Sequence, residues 1–399
     1  MLDNADAVID ALHLFFSRYN ECMTDSDRIR SYHRTGRILS VAGYVLDLAV
    51  LLILLFTGWT VGLRTLALHY SPRPWLALLI YLGPFGIITQ VVGLPLDFLR
   101  SFWLEHRYGL SNLTLAGWAK DQLKGIAVGG TLAVLAVEFL YAVMRRWPEH
   151  WWILCAIAFI GFFVLLANLA PVLIFPIFFK VRRLENPSLT ERLLELSRRA
   201  GTRVKGVFEW KLSEKSKKAN AALMGLGNTR RIILSDTLLE QFQDDEVEAV
   251  LAHELGHHVH HHIFQSIAIQ GAATFVGFYL IHRTLDWLGP HFGFQGPADY
   301  ANLPLLALVI TVLSLVLLPA VNSCSRAMER QADAYALGAI PSRAPFISSM
   351  EKLAELNLAE RQPNPWIEFI FHSHPSIQKR IEFAQEFSAL TGQSRPAHF

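Results

Sequence analysis

The chain has 399 residues, 52% of them hydrophobic, 12% aromatic and only 18% charged, with a formal net charge of +2. A soluble protein carries about a quarter charged residues, so the composition argues against a soluble enzyme. The near-neutral balance, with no dense basic run, argues against a nucleic-acid partner.

The N-terminus is acidic and lacks a basic stretch leading into a continuous apolar core, so no cleaved secretory signal is expected. The apolar segment Ala7–Phe16 is too short to cross a bilayer and reads as peripheral. Six later stretches reach the roughly 20 apolar residues that a spanning helix needs: about 39–58, 74–96, 125–144, 151–176, 263–283 and 303–321. Lys and Arg concentrate in the first 38 residues, near 97–124, in 177–262 and in the C-terminal tail, while 284–301 has none. This bias predicts cytoplasmic termini, with Arg145 and Arg146 the one dissent. Asp47 and Glu138 fall at membrane depth, where a carboxylate is expected to face an interior or a wet cavity. Three scattered cysteines, Cys22, Cys155 and Cys324, lack metal-ligand spacing and read as small apolar packing residues.

Two polar blocks remain, 177–262 and 322–399. The first predicts a helix over Thr190–Ala200 and strands at Val204–Trp210, Asn220–Met224 and Ile232–Leu234; the second reads as helical with breaks near Pro341 and Pro363–Pro375. The fold expected is mainly α: a polytopic α-helical membrane protein of about six spans with an α+β part containing a small sheet. Its division is an N-terminal membrane domain, 1–176, with four spans, and a second domain, 177–399, that includes the last two.

The chemistry centres on His253-Glu254-Leu255-Gly256-His257. Asp244, Asp245 and Glu246 supply an acidic helix start, and Val247, Val250, Leu251 and Leu255 an apolar face. Residues four apart share a helix face, so both imidazoles can reach one zinc ion, with Glu254 placed to act on an activated water. A catalytic zinc usually has three protein ligands and an open position. Glu329, four residues before Asp333 on a helix continuing from the last span, is the best third ligand on spacing, although two acids so placed also suit a solvated face. Asp333 is placed to orient a histidine through its second ring nitrogen. His258, His260, His261 and His262 read as interfacial or solvated, and His372 and His374 precede Pro375 in the tail.

Together these residues resemble the zinc-dependent, integral-membrane CAAX prenyl proteases and their bacterial relatives. The resemblance rests on the zinc helix, Ser325–Ala336, His374-Pro375-Ser376 followed by Arg380, Asn220–Gly225 ahead of Arg231–Leu238, and Leu104–Ser111. The last of these separates the chain from the shorter HtpX-like relatives. The resemblance implies that 177–399 is a metallopeptidase domain with a zincin-like α+β catalytic part, that Glu329 is the third zinc ligand and that Asp333 supports a ligand histidine. It implies that His374 and Arg380 stabilise the transition state or position substrate. It further implies that Asn220, Ala221 and Ala222 form an edge strand for an extended peptide, and that tilted membrane helices ring a large water-filled chamber. The expected function is zinc-dependent endopeptidase action in the membrane, on peptide or protein substrates that include prenylated CAAX-type C-termini. The site is expected on the cytoplasmic side, of a bacterial inner membrane or of the endoplasmic reticulum. The alternatives are a quality-control protease for membrane proteins and a non-enzymatic scaffold or transporter with a structural metal.

Overall fold

A computed structural model describes residues 24–391 apart from residue 226; Ala7–Phe16 and Cys22 lie outside the described residues. The elements in order are α1 (Asp25–Phe56), α2 (Trp59–Tyr70), α3 (Pro74–Phe98, continuing through a π turn to Arg107), α4 (Leu115–Arg146) and α5 (Trp151–Leu173). Then come β1 (Val181–Arg183), α6 (Pro187–Arg199), β2 (Val207–Trp210), β3 (Ala221–Met224), β4 (Arg231–Ser235), α7 (Asp236–Gln241) and α8 (Asp244–Val259). The chain ends with α9 (His262–Leu288), α10 (Leu303–Ala339), α11 (Ala344–Leu356), α12 (Pro365–Phe371) and α13 (Ile377–Thr391).

Among the described residues, six helices are long and apolar enough to span a membrane: α1, α3, α4, α5, α9 and α10. They coincide with the six expected stretches to within a few residues at the apolar ends, and the protein is an integral, multi-pass membrane protein. Several run well past the bilayer. The 37 residues of α10 extend about 55 Å at 1.5 Å per residue, against about 30 Å of hydrocarbon. No proline interrupts α10 between Pro319 and Pro341, so the last span feeds directly into the polar part and carries Glu329 and Asp333 out of the expected span.

The sheet order is β1-β2-β4-β3, parallel between β2 and β4 and antiparallel elsewhere. The expected strands are all present; β1, only three residues long, escapes the periodicity. The core of the polar part forms where this sheet meets α6, α8, α11 and α13, through Leu193, Ile232, Leu251, Phe346 and Ala384. A second core joins α3, α4, α5, α9 and the start of α10 around Tyr81, Tyr141 and Trp151. Cys155 is buried there, whereas Cys324 is exposed on α10 and is not the packing residue expected. A cavity of about 1280 Å³ lies between α1 and α3, lined by Arg37, Asp97, Arg100 and Glu105 among others. Asp47 is exposed and Glu138 half-buried, and neither lines that cavity.

The end of α3 and the segment after it tie the two parts together. The Glu105 carboxylate accepts from Tyr32 Oη at 2.7 Å and pairs with Lys218 at 2.8 Å. The backbone N–H of Lys217 donates to the Leu110 carbonyl at 2.9 Å. Asn357 brackets Ala219, accepting from its N–H at 3.0 Å and donating to its carbonyl at 3.2 Å. Residues just before β3 are thus held from both the membrane part and α11.

The acidic start of α8 is more than a dipole effect. Buried Glu246 accepts from the backbone N–H of Gln243 at 2.7 Å and from Lys352 Nζ at 2.6 Å, and also from Ser348. Burial alone would raise its pKa, but Lys352, Ser348 and the backbone donor outweigh it and hold the carboxyl below its ordinary range. A depressed folded pKa adds stability that is complete above the unfolded value of about 4.3 and is lost as pH falls through the folded one. Glu246→Ala is therefore expected to destabilise the polar part by about 3 kcal/mol, the low end for a broken buried pair because Lys352 keeps some water. Chemical unfolding of the detergent-solubilised protein at pH 7 measures it, and an unchanged midpoint would show that Glu246 does not stabilise the start of α8.

Candidate metal centre

The centre forms where α8 crosses α10. Gly256 lets the two helices touch: a Cβ there would sit 2.8 Å from Ala332 Cα and 2.9 Å from its carbonyl oxygen. At that spacing His253 and His257 on α8 and Glu329 on α10 converge. Their facing atoms lie 3.2 Å apart (His253 Nε2 to His257 Nε2), 3.2 Å (His253 Nε2 to Glu329 Oε2) and 3.3 Å (His257 Nε2 to Glu329 Oε1). Donors held tetrahedrally at about 2.0–2.1 Å from one ion lie about 3.3 Å from each other, so this triad can hold a metal. Glu329 Oε2 is buried and has no hydrogen-bond partner, an arrangement that a cation at the shared point would satisfy.

His253 is held from behind. With Nε2 turned to the shared point, Nδ1–H donates to Asp333 Oδ1 at 2.8 Å. Arg380 clamps Asp333 in turn through Nε at 2.9 Å and Nη2 at 2.6 Å. Arg380 is buried, and its Nη2 lies 3.2 Å from His253 Nδ1 as well. Burial would lower the His253 pKa, but the two carboxylates beside it outweigh burial and raise it to about 9. The field at the shared point thus favours a cation.

His374 reaches the same place from the C-terminal tail, its Nε2 3.1 Å from Glu329 Oε1 while the side chain stays 60% exposed. Its position depends on Arg326, one helical turn before Glu329. Arg326 donates to the carbonyls of Glu368 at 3.0 Å and His372 at 2.6 Å, gathering the end of α12. Sequence reasoning does not single out Arg326, because a lone arginine on a helix has no spacing signal.

A cavity of about 540 Å³ opens on the centre, lined by His253, Glu254, His374, Arg380, Asn220 and Ala221. Glu254 is half-buried on this wall. β3 is an edge strand paired on one side only, by β4, with Ala221 opposite Leu234 and Ala222 opposite Ile233. Phe179 and Trp210 add an aromatic wall, their rings stacked with centroids 5.7 Å apart. That wall too has no signature in the sequence, since its two residues are far apart along the chain and belong to no motif.

One histidine departs from its expected place. Among the histidines after the motif, His260 and His261 are exposed, but His262 is buried, so it is not solvated. The cause is a helix break: His261 takes φ 57° and ψ 32°, which ends α8 and turns His262 inward as α9 begins.

Comparison with known proteins gives the family. Residues 183–388 match the model of peptidase family M48, and residues 23–180 match that of the CAAX prenyl protease N-terminal region, five membrane helices. The chain is 30% identical to the uncharacterized metalloprotease YhfN of Bacillus subtilis, covering 89% of this chain and 84% of that one. It is 28% identical to CAAX prenyl protease 1 of Saccharomyces cerevisiae, covering 76% and 71%. The crystal structure of Ste24p from S. mikatae superposes with a TM-score of 0.81 over 96% of this chain and 97% of that chain at 23% identity, which establishes the shared fold. The chain belongs to peptidase family M48 and is a multi-pass membrane metalloendopeptidase.

Proposed function

We propose that the metal is zinc, held by His253, His257 and Glu329, and that the enzyme cleaves peptides near their C-termini, with prenylated CAAX-type chains as the preferred class. The observation that carries this reading is the convergence of His253, His257 and Glu329 beside Glu254, in a cavity bounded by the edge strand β3. Bound zinc supplies Lewis acidity, bringing the pKa of water to about 7 and polarising the scissile carbonyl.

The protein residues do the rest. An extended substrate adds to β3 beside Asn220, Ala221 and Ala222 by main-chain hydrogen bonds, which demand little of its side chains. Glu254 accepts a proton from the attacking water as its oxygen bonds to the carbonyl carbon. His374 donates to the oxyanion that develops on the carbonyl oxygen. Glu254 then delivers the proton to the amide nitrogen as the C–N bond breaks. Asp333, clamped by Arg380, keeps His253 in the required tautomer and orientation.

In this reading residues 1–176 form the membrane domain and 177–399 the metallopeptidase domain. The active site lies on the cytoplasmic side, because the polar blocks and the basic segments share one end of the bundle. Arg37 pairs with Glu360, and Lys215 with Asp121, at that end.

A purified-enzyme assay with a farnesylated CAAX peptide and its unmodified twin tests the substrate class. We expect kcat/KM at least about tenfold higher for the lipidated peptide, worth about 1.4 kcal/mol of differential binding. Equal rates on both, together with cleavage of unfolded membrane proteins, would favour the quality-control alternative.

A further inference from the structure

His257 and His262 are five residues apart, and on an unbroken helix their side chains would diverge by about 140°. The left-handed turn at His261 removes that divergence. His262 folds back beneath His257, with the two Nδ1 atoms 2.9 Å apart. Its other nitrogen, Nε2, lies 2.8 Å from Oε1 of Gln331 on α10. His262 is only 3% exposed, so water does not substitute for either contact.

These contacts have one arrangement of protons that leaves His257 Nε2 free to donate its lone pair to a metal. Neutral His257 must then carry its proton on Nδ1, and the atom facing that proton is Nδ1 of His262, which must accept it. Neutral His262 therefore carries its own proton on Nε2, opposite the Gln331 side-chain carbonyl, which accepts it. Every donor meets an acceptor, and the chain ends in a lone pair aimed at the point shared with His253 and Glu329. A metal-binding imidazole normally has its second nitrogen fixed in this manner.

We propose that His262, itself held by Gln331, is the positioning residue for His257, fixing its tautomer and ring plane. It is the uncharged counterpart of Asp333 behind His253. This rests on His257 being a metal ligand. The two imidazoles on α8 thus have different supports: a carboxylate clamped by Arg380 behind one, and a neutral imidazole–amide pair behind the other. Each support spans from α8 or its break to α10, so both ligand orientations depend on the contact between those helices.

The test is zinc affinity of the full-length, detergent-purified protein, measured by competition with a chromophoric chelator, with thermal unfolding of the metal-free protein in parallel. His262→Leu is expected to weaken zinc binding about 10–100-fold with little change in metal-free unfolding. His262→Asn, whose amide places a polar atom near the position of Nδ1, is expected to restore affinity to within about threefold of the wild type. Where His262→Leu fails to fold, Gln331→Leu at its exposed position carries the test, with an expected loss of about tenfold. Unchanged zinc affinity in folded His262→Leu or in Gln331→Leu, or equal losses in His262→Leu and His262→Asn, would overturn the inference. His257→Ala separates the levels. Loss of zinc there with none in His262→Leu sinks only the positioning role, whereas retained zinc in His257→Ala sinks the ligand assignment as well.

Discussion

Replacing Glu254 by Gln is expected to lower turnover about 10²–10⁴-fold, or about 3–5 kcal/mol in activation free energy, while zinc stays bound. The amide keeps the size and placement of the carboxylate on the cavity wall but cannot accept a proton at neutral pH. Glu254 is not one of the three converging donors, so metal content should match the wild type. The informative comparison is kcat on a peptide substrate beside zinc stoichiometry by elemental analysis. Full activity with full zinc would remove Glu254 from the chemistry. Loss of both would place it among the ligands and leave the proton transfer to another group.

The second large effect is expected at Gly256, which makes no contact with substrate in the proposed mechanism. Adding one methyl group there would place it 2.8 Å from Ala332 Cα and 2.9 Å from its carbonyl oxygen. Both atoms are backbone, so no side chain can swing aside and α8 must move away from α10. Overpacking of this kind costs about 1–3 kcal/mol. The greater consequence is for metal binding, because two donors ride on α8 and one on α10. A separation of even half an ångström spoils spacings of 3.2–3.3 Å. Gly256→Ala is therefore expected to weaken zinc affinity by at least about tenfold, in line with disturbed ligand support, with activity falling in proportion. Chelator competition measures it. Wild-type affinity and activity in Gly256→Ala would show that the helix contact does not set the geometry.

Both predictions concern α8, the element whose character is plainest in the amino-acid sequence. Its acidic start, its apolar positions Val247, Val250, Leu251 and Leu255, and the four-residue spacing of His253 and His257 are local features, and local features survive in one dimension. The strand at Asn220–Met224 is legible for the same reason, through a short apolar run between polar flanks. Its being an edge is not, since strand order depends on β4 and β2 arriving from elsewhere in the chain.

The long-range members of the site behave differently. Glu329 and Asp333 have the same spacing that any solvated acidic pair would have, and only family resemblance raises them above it. Arg380 comes forward by resemblance as a residue for substrate or transition state; the fold engages it with Asp333. Nothing in the sequence marks Arg326, Phe179 or Trp210 as a member of the site. His262 is misplaced by a helical reading that continues through His260 and His261, because nothing in that run of histidines marks the left-handed turn.

The six membrane-crossing segments, the helix bearing His253, Glu254 and His257, and the chemistry those residues suit are legible in one dimension, since each follows from periodicity or composition within about twenty neighbouring residues. Which acid meets the two imidazoles, what braces each from behind, and which strand edge is left open to the cavity emerge only in three dimensions. Those outcomes depend on α10 continuing unbroken from the bilayer and on Gly256 letting α8 lie against it. Contacts between segments so far apart along the chain arise from packing, and packing leaves no periodic trace in either segment alone.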